Sequence, residues 1–258
     1  MCELNEDMVS VKDYDGDGQI VFDKDVLSHK IPPSFTEAPW IYRRQDENGK
    51  YYSAEDVGRY LYEYGKLFYE MGETAAGYRL ARQFQNNIDR RRLMAPPIDV
   101  LHFLYPIPYR DQVKFHSSDR IDPFFVYSVM RQESIFNFEI MSPAGACGLL
   151  QIMPATGKML AEKEGLANFE PKQLFNAYMN IRLGVRYLVD LKAEYNNDYM
   201  YVLGNYNAGP KPTKRWQAQG EGKSWDIRAE EISYWETRDY VKRVMGNYWI
   251  YQEIYDGI

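Results

Sequence analysis

The sequence predicts a mainly α-helical protein. Apolar residues recur at intervals of three and four over several stretches, which is the period of a helix with one buried face. Strand-like alternation of apolar and polar residues is scarce, and neither a repeat of fixed period nor a low-complexity stretch is present. With 258 residues, 45% of them hydrophobic, the chain can bury one sizeable core and a smaller appendage.

Proline pairs and changes of composition divide the chain into three predicted regions. Residues 1–35 are acidic and end near Pro32-Pro33, a rigid break. Residues 36–104 are predicted to form a helical linker region, because helical patterns fill most of it up to the breaks at Pro96-Pro97 and Pro106. Residues 105–258 form the third and largest region.

Capping signals place the first helices. Ser53 has the spacing of a capping box with Asp56, so a helix is expected to follow and to end at Gly72. A second helix is predicted from Ala75 to about Arg91.

Helical signals continue in the third region. Asp122 followed by Pro123 predicts the N-cap and first turn of a helix that carries Glu133. Another helix is expected to begin at Ala155 and to stop at Gly165. Apolar residues at helical spacing mark two further helices: Ile181, Val185, Leu188 and Leu191 in one, and Tyr240, Val241, Val244, Met245 and Tyr248 in the other.

Composition and charge exclude several functions. The net charge of −6 provides no basic field for a nucleic-acid backbone, so nucleic acid is not an expected partner. No apolar run reaches the length of a membrane span, and the N-terminus lacks a signal-peptide pattern. Cys2 follows the first methionine, which is compatible with a lipid anchor and equally with an ordinary exposed cysteine.

The acidic extension contains "DYDGDGQIVFDK", which matches most of a calcium-binding EF-hand loop. Asp13, Asp15, Asp17 and Gln19 occupy the first ligand positions. The twelfth position, where a bidentate glutamate is expected, holds Lys24. A structural calcium site and a solvated acidic turn are therefore both open interpretations.

Glu133 stands out because it shares a helical face with apolar residues, namely Phe125, Val126, Val129 and Met130. Desolvation disfavours a charged carboxylate and raises its pKa, so Glu133 would hold a proton near neutral pH. A general acid that protonates a glycosidic oxygen requires this state. The alternative is a structural glutamate paired with Arg131 or Lys114. The aromatic content of 16% is a weak pointer to carbohydrate, since flat rings suit sugar faces.

Three motifs accompany this acid: Glu133-Ser134, the stretch "GLLQ" at 148–151, and "NYN" at 205–207. In this order and spacing they resemble the signature motifs of the family 1 lytic transglycosylases. These soluble-type enzymes have a goose-lysozyme-like catalytic domain. The resemblance covers roughly residues 100–250 and implies a lysozyme-like fold for the third region.

The resemblance implies cleavage of the β-1,4 bond between N-acetylmuramic acid and N-acetylglucosamine in peptidoglycan, with a 1,6-anhydro product. Glu133 would act first as acid and then as base, without a required cofactor. It also implies action in the periplasm or cell envelope, with the membrane reached only through an anchor at Cys2. The resemblance further implies substrate-binding roles for Ser142, Gln151, Met153, Tyr206, Asn207, Glu236 and Tyr240.

Two other functions remain alternatives at this stage. A hydrolytic muramidase on the same fold would need another acid to hold water, and no motif singles out Glu139, Glu162 or Glu164 for that role. A non-catalytic glycan-binding or calcium-regulated scaffold would keep the fold without the reaction, but the intact Glu133-Ser134 pair does not favour it.

Overall fold

The structure is a computed structural model that describes residues 63–86 and 98–255. Within these ranges it is helical and contains no β-strand, which confirms the predicted fold class. Two isolated antiparallel bridges, which join Cys147 to Met141 and to Ile152, are the only extended pairings in this part of the chain. No helix in the described ranges is long and apolar enough to cross a bilayer.

Ten α-helices follow a helical segment that is described over residues 63–70. They are α1 (Thr74–Asn86), α2 (Ile98–Leu104), α3 (Arg110–Ser117), α4 (Pro123–Ser134), α5 (Pro154–Lys163), α6 (Ala177–Glu194), α7 (Tyr199–Ala208), α8 (Pro210–Gln219), α9 (Trp225–Glu230) and α10 (Trp235–Tyr255). A short 3-10 helix (Pro171–Phe175) lies between α5 and α6.

The helix boundaries follow the capping signals in the sequence. The Asp122 carboxylate accepts a 2.8 Å hydrogen bond from the Phe124 amide at the start of α4, with Pro123 in the first turn, as predicted. Gly72 has a φ of 77° just after the first segment, a backbone geometry that glycine adopts without strain. Helix α5 begins at Pro154, one residue before the predicted start, because proline fits the first helical position.

Some predicted boundaries fall on residues outside the described ranges. Helix α1 begins at Thr74, one residue earlier than expected, and the predicted end near Arg91 is among those residues. So are the helix start at Ser53 and the whole acidic extension. The three-region division stays a prediction.

Helix α4 lies at the centre of the core, packed against α10. Its residues Phe125, Val126, Val129 and Met130 have no exposed surface. Phe125 stacks on Tyr199 of α7 with ring centroids 4.0 Å apart. Full burial of each such side chain contributes about 1.5–3 kcal/mol, so this packing fixes the helix that carries Glu133.

Arg131 connects the N-terminal helices to this core. Its Nε donates to the Leu104 carbonyl at the end of α2 (3.1 Å), and its Nη1 donates to the Asn247 side chain on α10 (2.7 Å). The guanidinium also lies over the Tyr105 ring, 4.1 Å from the centroid, and 5.0 Å from that of Tyr78 on α1. One cation on α4 therefore contacts three other parts of the chain.

Candidate active site

Glu133 lies in the last turn of α4, where the chain reverses sharply. Ile135 caps the helix with a φ of 51°, and Phe136 follows with a φ of 60°. This left-handed region is costly for a β-branched residue, about 1–3 kcal/mol, and burial of the Phe136 side chain holds the turn in place. The turn directs the chain into the loop at residues 137–153.

The Glu133 carboxyl is largely desolvated but keeps part of its side chain exposed. Burial raises its pKa from 4.5 to about 7, and a hydrogen bond from Tyr240 opposes part of that rise. The Tyr240 hydroxyl on α10 donates to Oε1 of Glu133 at 2.5 Å. Near neutral pH the carboxyl therefore exists in both its protonated and ionised forms.

The structural alternative for Glu133 required an ion pair with Arg131 or Lys114. Among residues 63–86 and 98–255, no ion pair includes Glu133. Arg131 instead contacts Leu104 and Asn247 as described above. Lys114 is an exposed residue of α3 that lines a separate cavity with Phe124, at the opposite end of α4. Among the residues that the structure describes, the carboxyl thus has no cation to hold it ionised.

Two tyrosines stay protonated beside this acid. Burial raises the pKa of Tyr240 and of Tyr206 well above 10, and the nearby Glu133 charge raises both further. The Tyr206 hydroxyl on α7 donates to the Leu150 carbonyl at 2.5 Å, whereas that of Tyr240 donates to Glu133. Tyr206 therefore joins α7 to the loop, and Tyr240 positions the acid.

A buried asparagine fixes the loop at residues 137–153. The Asn180 side chain on α6 accepts from the Leu150 amide (2.8 Å) and donates to the carbonyls of Cys147 (2.9 Å) and Leu174 (2.7 Å). Gly148 has a φ of 75° and lies against the Leu174 backbone, where an added Cβ would be only 2.2 Å from the Leu174 carbonyl oxygen. The glycine in the "GLLQ" motif is thus required by both backbone angle and space.

Three of the predicted substrate-binding residues lie on or beside this loop. Ser142 Oγ accepts from the Ala146 amide at 3.0 Å. The Gln151 side chain donates to the carbonyls of Gly148 (2.8 Å) and Ile140 (3.2 Å), so its amide braces the loop. Met153 caps α5 and is 42% exposed, which leaves its side chain open to a ligand.

The other predicted residues lie on α7 and α10. Asn207 is exposed, and its side chain accepts a 2.7 Å bond from the Thr237 hydroxyl, which joins the two helices. Glu236 is exposed in the first turn of α10, one turn before Tyr240. The structure thus brings Tyr240 and Tyr206 to the acid. The substrate-binding roles of the set remain predictions.

Asn180 and Thr237 were missed by the sequence analysis, although each left a signal. Asn180 interrupts the apolar stripe that continues through Leu188 and Leu191, and a polar residue at a buried position usually has a specific hydrogen-bonding task. Thr237 is likewise a polar residue at a buried position, since it lies on the buried face of α10 with Tyr240.

The predicted calcium ligands Asp13, Asp15, Asp17 and Gln19 lie outside the described residues. Cys2 lies outside them as well. In the described ranges, no group of three or more His, Cys, Asp or Glu residues could hold a metal ion.

Fold and site together define the class of protein domain. The domain is a lysozyme-like helical domain whose site contains one desolvated carboxyl, a neutral tyrosine as its hydrogen-bond donor, and no cationic partner among the described residues. Residues 114–227 match the family model described as the transglycosylase SLT domain. Over these residues the chain is similar to the soluble-type lytic transglycosylases.

Individual relatives agree with this assignment. The soluble lytic murein transglycosylase of Escherichia coli is 33% identical over 150 residues, which are 57% of this chain and 23% of that protein. The lytic transglycosylase Slt of Pseudomonas aeruginosa, solved as an inactive mutant, is similar with a TM-score of 0.64 at 28% identity. That match covers 75% of this chain and 30% of the other.

The 70 kDa soluble lytic transglycosylase of Escherichia coli is similar with a TM-score of 0.66 at 25% identity, over 77% of this chain and 30% of that one. The chain therefore spans less than a third of the length of each of these relatives. The family match ends at residue 227, so Tyr240 lies beyond it.

Proposed function

We propose that this chain is a peptidoglycan lytic transglycosylase that cleaves the bond between N-acetylmuramic acid and N-acetylglucosamine. The observation that carries the proposal is the Glu133 carboxyl, whose pKa burial raises to about 7 and whose Oε1 is held by Tyr240. Such a group can both give and take a proton near neutral pH. The similarity to soluble lytic murein transglycosylases supports the choice of substrate.

The proposed reaction uses this one carboxyl twice. Glu133 protonates the glycosidic oxygen as the bond from that oxygen to C1 of the muramic residue breaks. The C6 hydroxyl of the same sugar then attacks C1 and gives its proton to the Glu133 carboxylate, which restores the acid. Because the nucleophile belongs to the substrate, its effective concentration is already very high, and no second carboxylate is needed to activate water.

Other residues have supporting roles in this proposal. Tyr240 orients the carboxyl and stabilises its ionised form between the two proton transfers, since its hydroxyl donates to Oε1. Ser142 and Tyr206 are proposed as polar partners of the substrate N-acetyl group near C1. Met153 is proposed to line the saccharide groove. The remaining candidates for sugar contacts are Gln151, Asn207 and Glu236.

A hydrolytic muramidase is the less supported function. Glu164 is engaged in ion pairs with Arg182 (3.1 Å) and Arg186 (2.8 Å). Glu139 and Glu162 are exposed, and no carboxylate in the described ranges contributes to the pKa of Glu133. This geometry favours the anhydro product over a hydrolysed one.

Mass spectrometry of digested peptidoglycan tests the proposal. Products one water lighter than hydrolysed muropeptides are expected from the natural chain and from Glu139→Gln, a matched control that removes an exposed carboxylate. Glu133→Gln should abolish turnover while glycan still binds, because the amide keeps the shape but delivers no proton. Products at the hydrated mass throughout would refute the transglycosylase reaction, and substantial cleavage by Glu133→Gln would show that the acid is misassigned.

The natural chain separates the enzyme from a non-catalytic scaffold. A scaffold would bind purified glycan strands and release no soluble products even with Glu133 intact. The inactive Pseudomonas mutant carries a single glutamate-to-glutamine change, which is the effect the single-acid proposal expects.

We further propose the cell envelope as the place of action, because the substrate is there. Lipid anchoring through Cys2 stays a prediction, tested by incorporation of labelled fatty acid into the natural chain and its loss in Cys2→Ser.

The acidic loop keeps two interpretations, and calcium is not required by the proposed chemistry. Calorimetry with calcium before and after Asp15→Ala decides between them. A binding heat that the substitution removes supports a structural calcium site, whereas no heat at millimolar calcium leaves only the acidic turn.

A further inference from the structure

A second cavity lies at the end of α4 that is remote from Glu133. It has a volume of about 170 Å³, and Arg110, Lys114, Phe124, Tyr127 and Tyr255 line it. Phe124 precedes Glu133 by nine residues, which places the two roughly 13 Å apart along the helix axis and on opposite faces. The cavity is therefore separate from the candidate active site.

Two exposed cations stand at this cavity. Arg110 and Lys114 are exposed residues one turn apart on α3, and in the described part of the chain neither takes part in an ion pair. Burial raises the pKa of Tyr127, Arg110 lowers it and the exposed Asp111 raises it, so both charges lie near this phenol. Burial raises the pKa of Tyr255 and Arg110 lowers it, so the Arg110 charge lies near both phenols.

A buried hydroxyl at the same place has no hydrogen-bond partner among the described residues. Tyr127 is 2% exposed, and no described residue forms a hydrogen bond with its Oη. A buried donor left unpaired is costly, and such groups usually have a partner of some kind. Phe124 and Tyr255 form an apolar wall beside it, with their rings stacked at 5.8 Å.

We infer that this cavity binds a compact oxyanion, a carboxylate or phosphate group attached to a small apolar moiety. The two cations supply the charge, and the Tyr127 hydroxyl supplies a hydrogen bond that a ligand acceptor can complete. The aromatic wall accommodates the apolar part, and the small volume admits only the anionic end of a larger ligand. A peptide C-terminal carboxylate and a phosphate group both have this chemistry.

Calorimetric titration of the full chain tests the site with two probes, N-acetyl-D-alanyl-D-alanine and inorganic phosphate, at constant ionic strength set with chloride. At least one probe should bind saturably. The double variant Arg110→Gln with Lys114→Gln should weaken that binding by more than about tenfold, because charged hydrogen bonds are lost. The probe that binds more tightly identifies the source of the anion.

Two further variants keep the test decisive. Lys158→Gln combined with Lys211→Gln removes two other exposed cations and should leave the affinity unchanged. Tyr127→Phe should raise the melting temperature of the free protein by about 2–4 °C, because it removes an unpaired buried hydroxyl, and should weaken probe binding several-fold. Equal binding in the natural chain and the Arg110 and Lys114 double variant, or no saturation by either probe, would overturn the inference.

Discussion

Substitution of Glu133 by glutamine should stabilise the protein, and increasingly so as the pH rises. The folded carboxyl has a pKa of about 7, whereas the ordinary value is 4.5. Below pH 4.5 the group is protonated in both states. As the pH rises from 4.5 through 7, the unfolded chain releases its proton first, and the folded state loses stability over that window. Glutamine never ionises, so the variant avoids this loss.

The magnitude follows from the pKa difference. A rise from 4.5 to about 7 corresponds to at most about 3 kcal/mol above pH 7. Because solvent reaches part of the side chain, we expect the gain from Glu133→Gln to grow by only about 1–2 kcal/mol between pH 5 and pH 8. This is equivalent to a few degrees in melting temperature.

Urea unfolding at a series of pH values, followed by tryptophan fluorescence, measures the effect. The chain contains five tryptophans as probes. Glu139→Gln serves as the control and should show no such pH-dependent gain, since that carboxylate is exposed. A stability difference for Glu133→Gln that is independent of pH, or that favours the glutamate at pH 8, would refute the argument that burial keeps this acid neutral.

Two further predictions concern the surroundings of the acid. Tyr240→Phe removes the bond that lowers the pKa of Glu133, so the alkaline limb of the pH-rate profile should move to higher pH while kcat falls at least about tenfold. Tyr248→Phe, on the same helix, should leave that profile in place. Gly148→Ala should cost more than about 3 kcal/mol by urea unfolding, whereas Gly145→Ala, with open space around it, should cost only about 1 kcal/mol. An unshifted profile for Tyr240→Phe, or equal costs for the two glycines, would contradict these accounts.

Local features of this chain were predictable from sequence because their causes are local. The start of α4 follows from Asp122 and Pro123, and the apolar face that desolvates Glu133 follows from helical spacing alone. The end of α4 was harder, because Ile135 adopts a left-handed conformation that its residue type disfavours.

The contacts of the site could not be derived from spacing. Tyr240 and Glu133 are 107 residues apart, so their bond depends on how α4 and α10 pack. The sequence resemblance implies a sugar-binding role for Gln151, and only the structure shows its amide bonded to two loop carbonyls. The resemblance to a family, and not their spacing, predicts that Glu133, Tyr240 and Gln151 belong to one site.

The central claim is that Glu133 remains protonated until near-neutral pH. Carbon-13 NMR of protein labelled at the glutamate carboxyl carbons measures this directly, with Glu133→Gln used to assign the signal. The account predicts a titration midpoint near 7 for this one resonance. A midpoint at or below the ordinary glutamate value would contradict it.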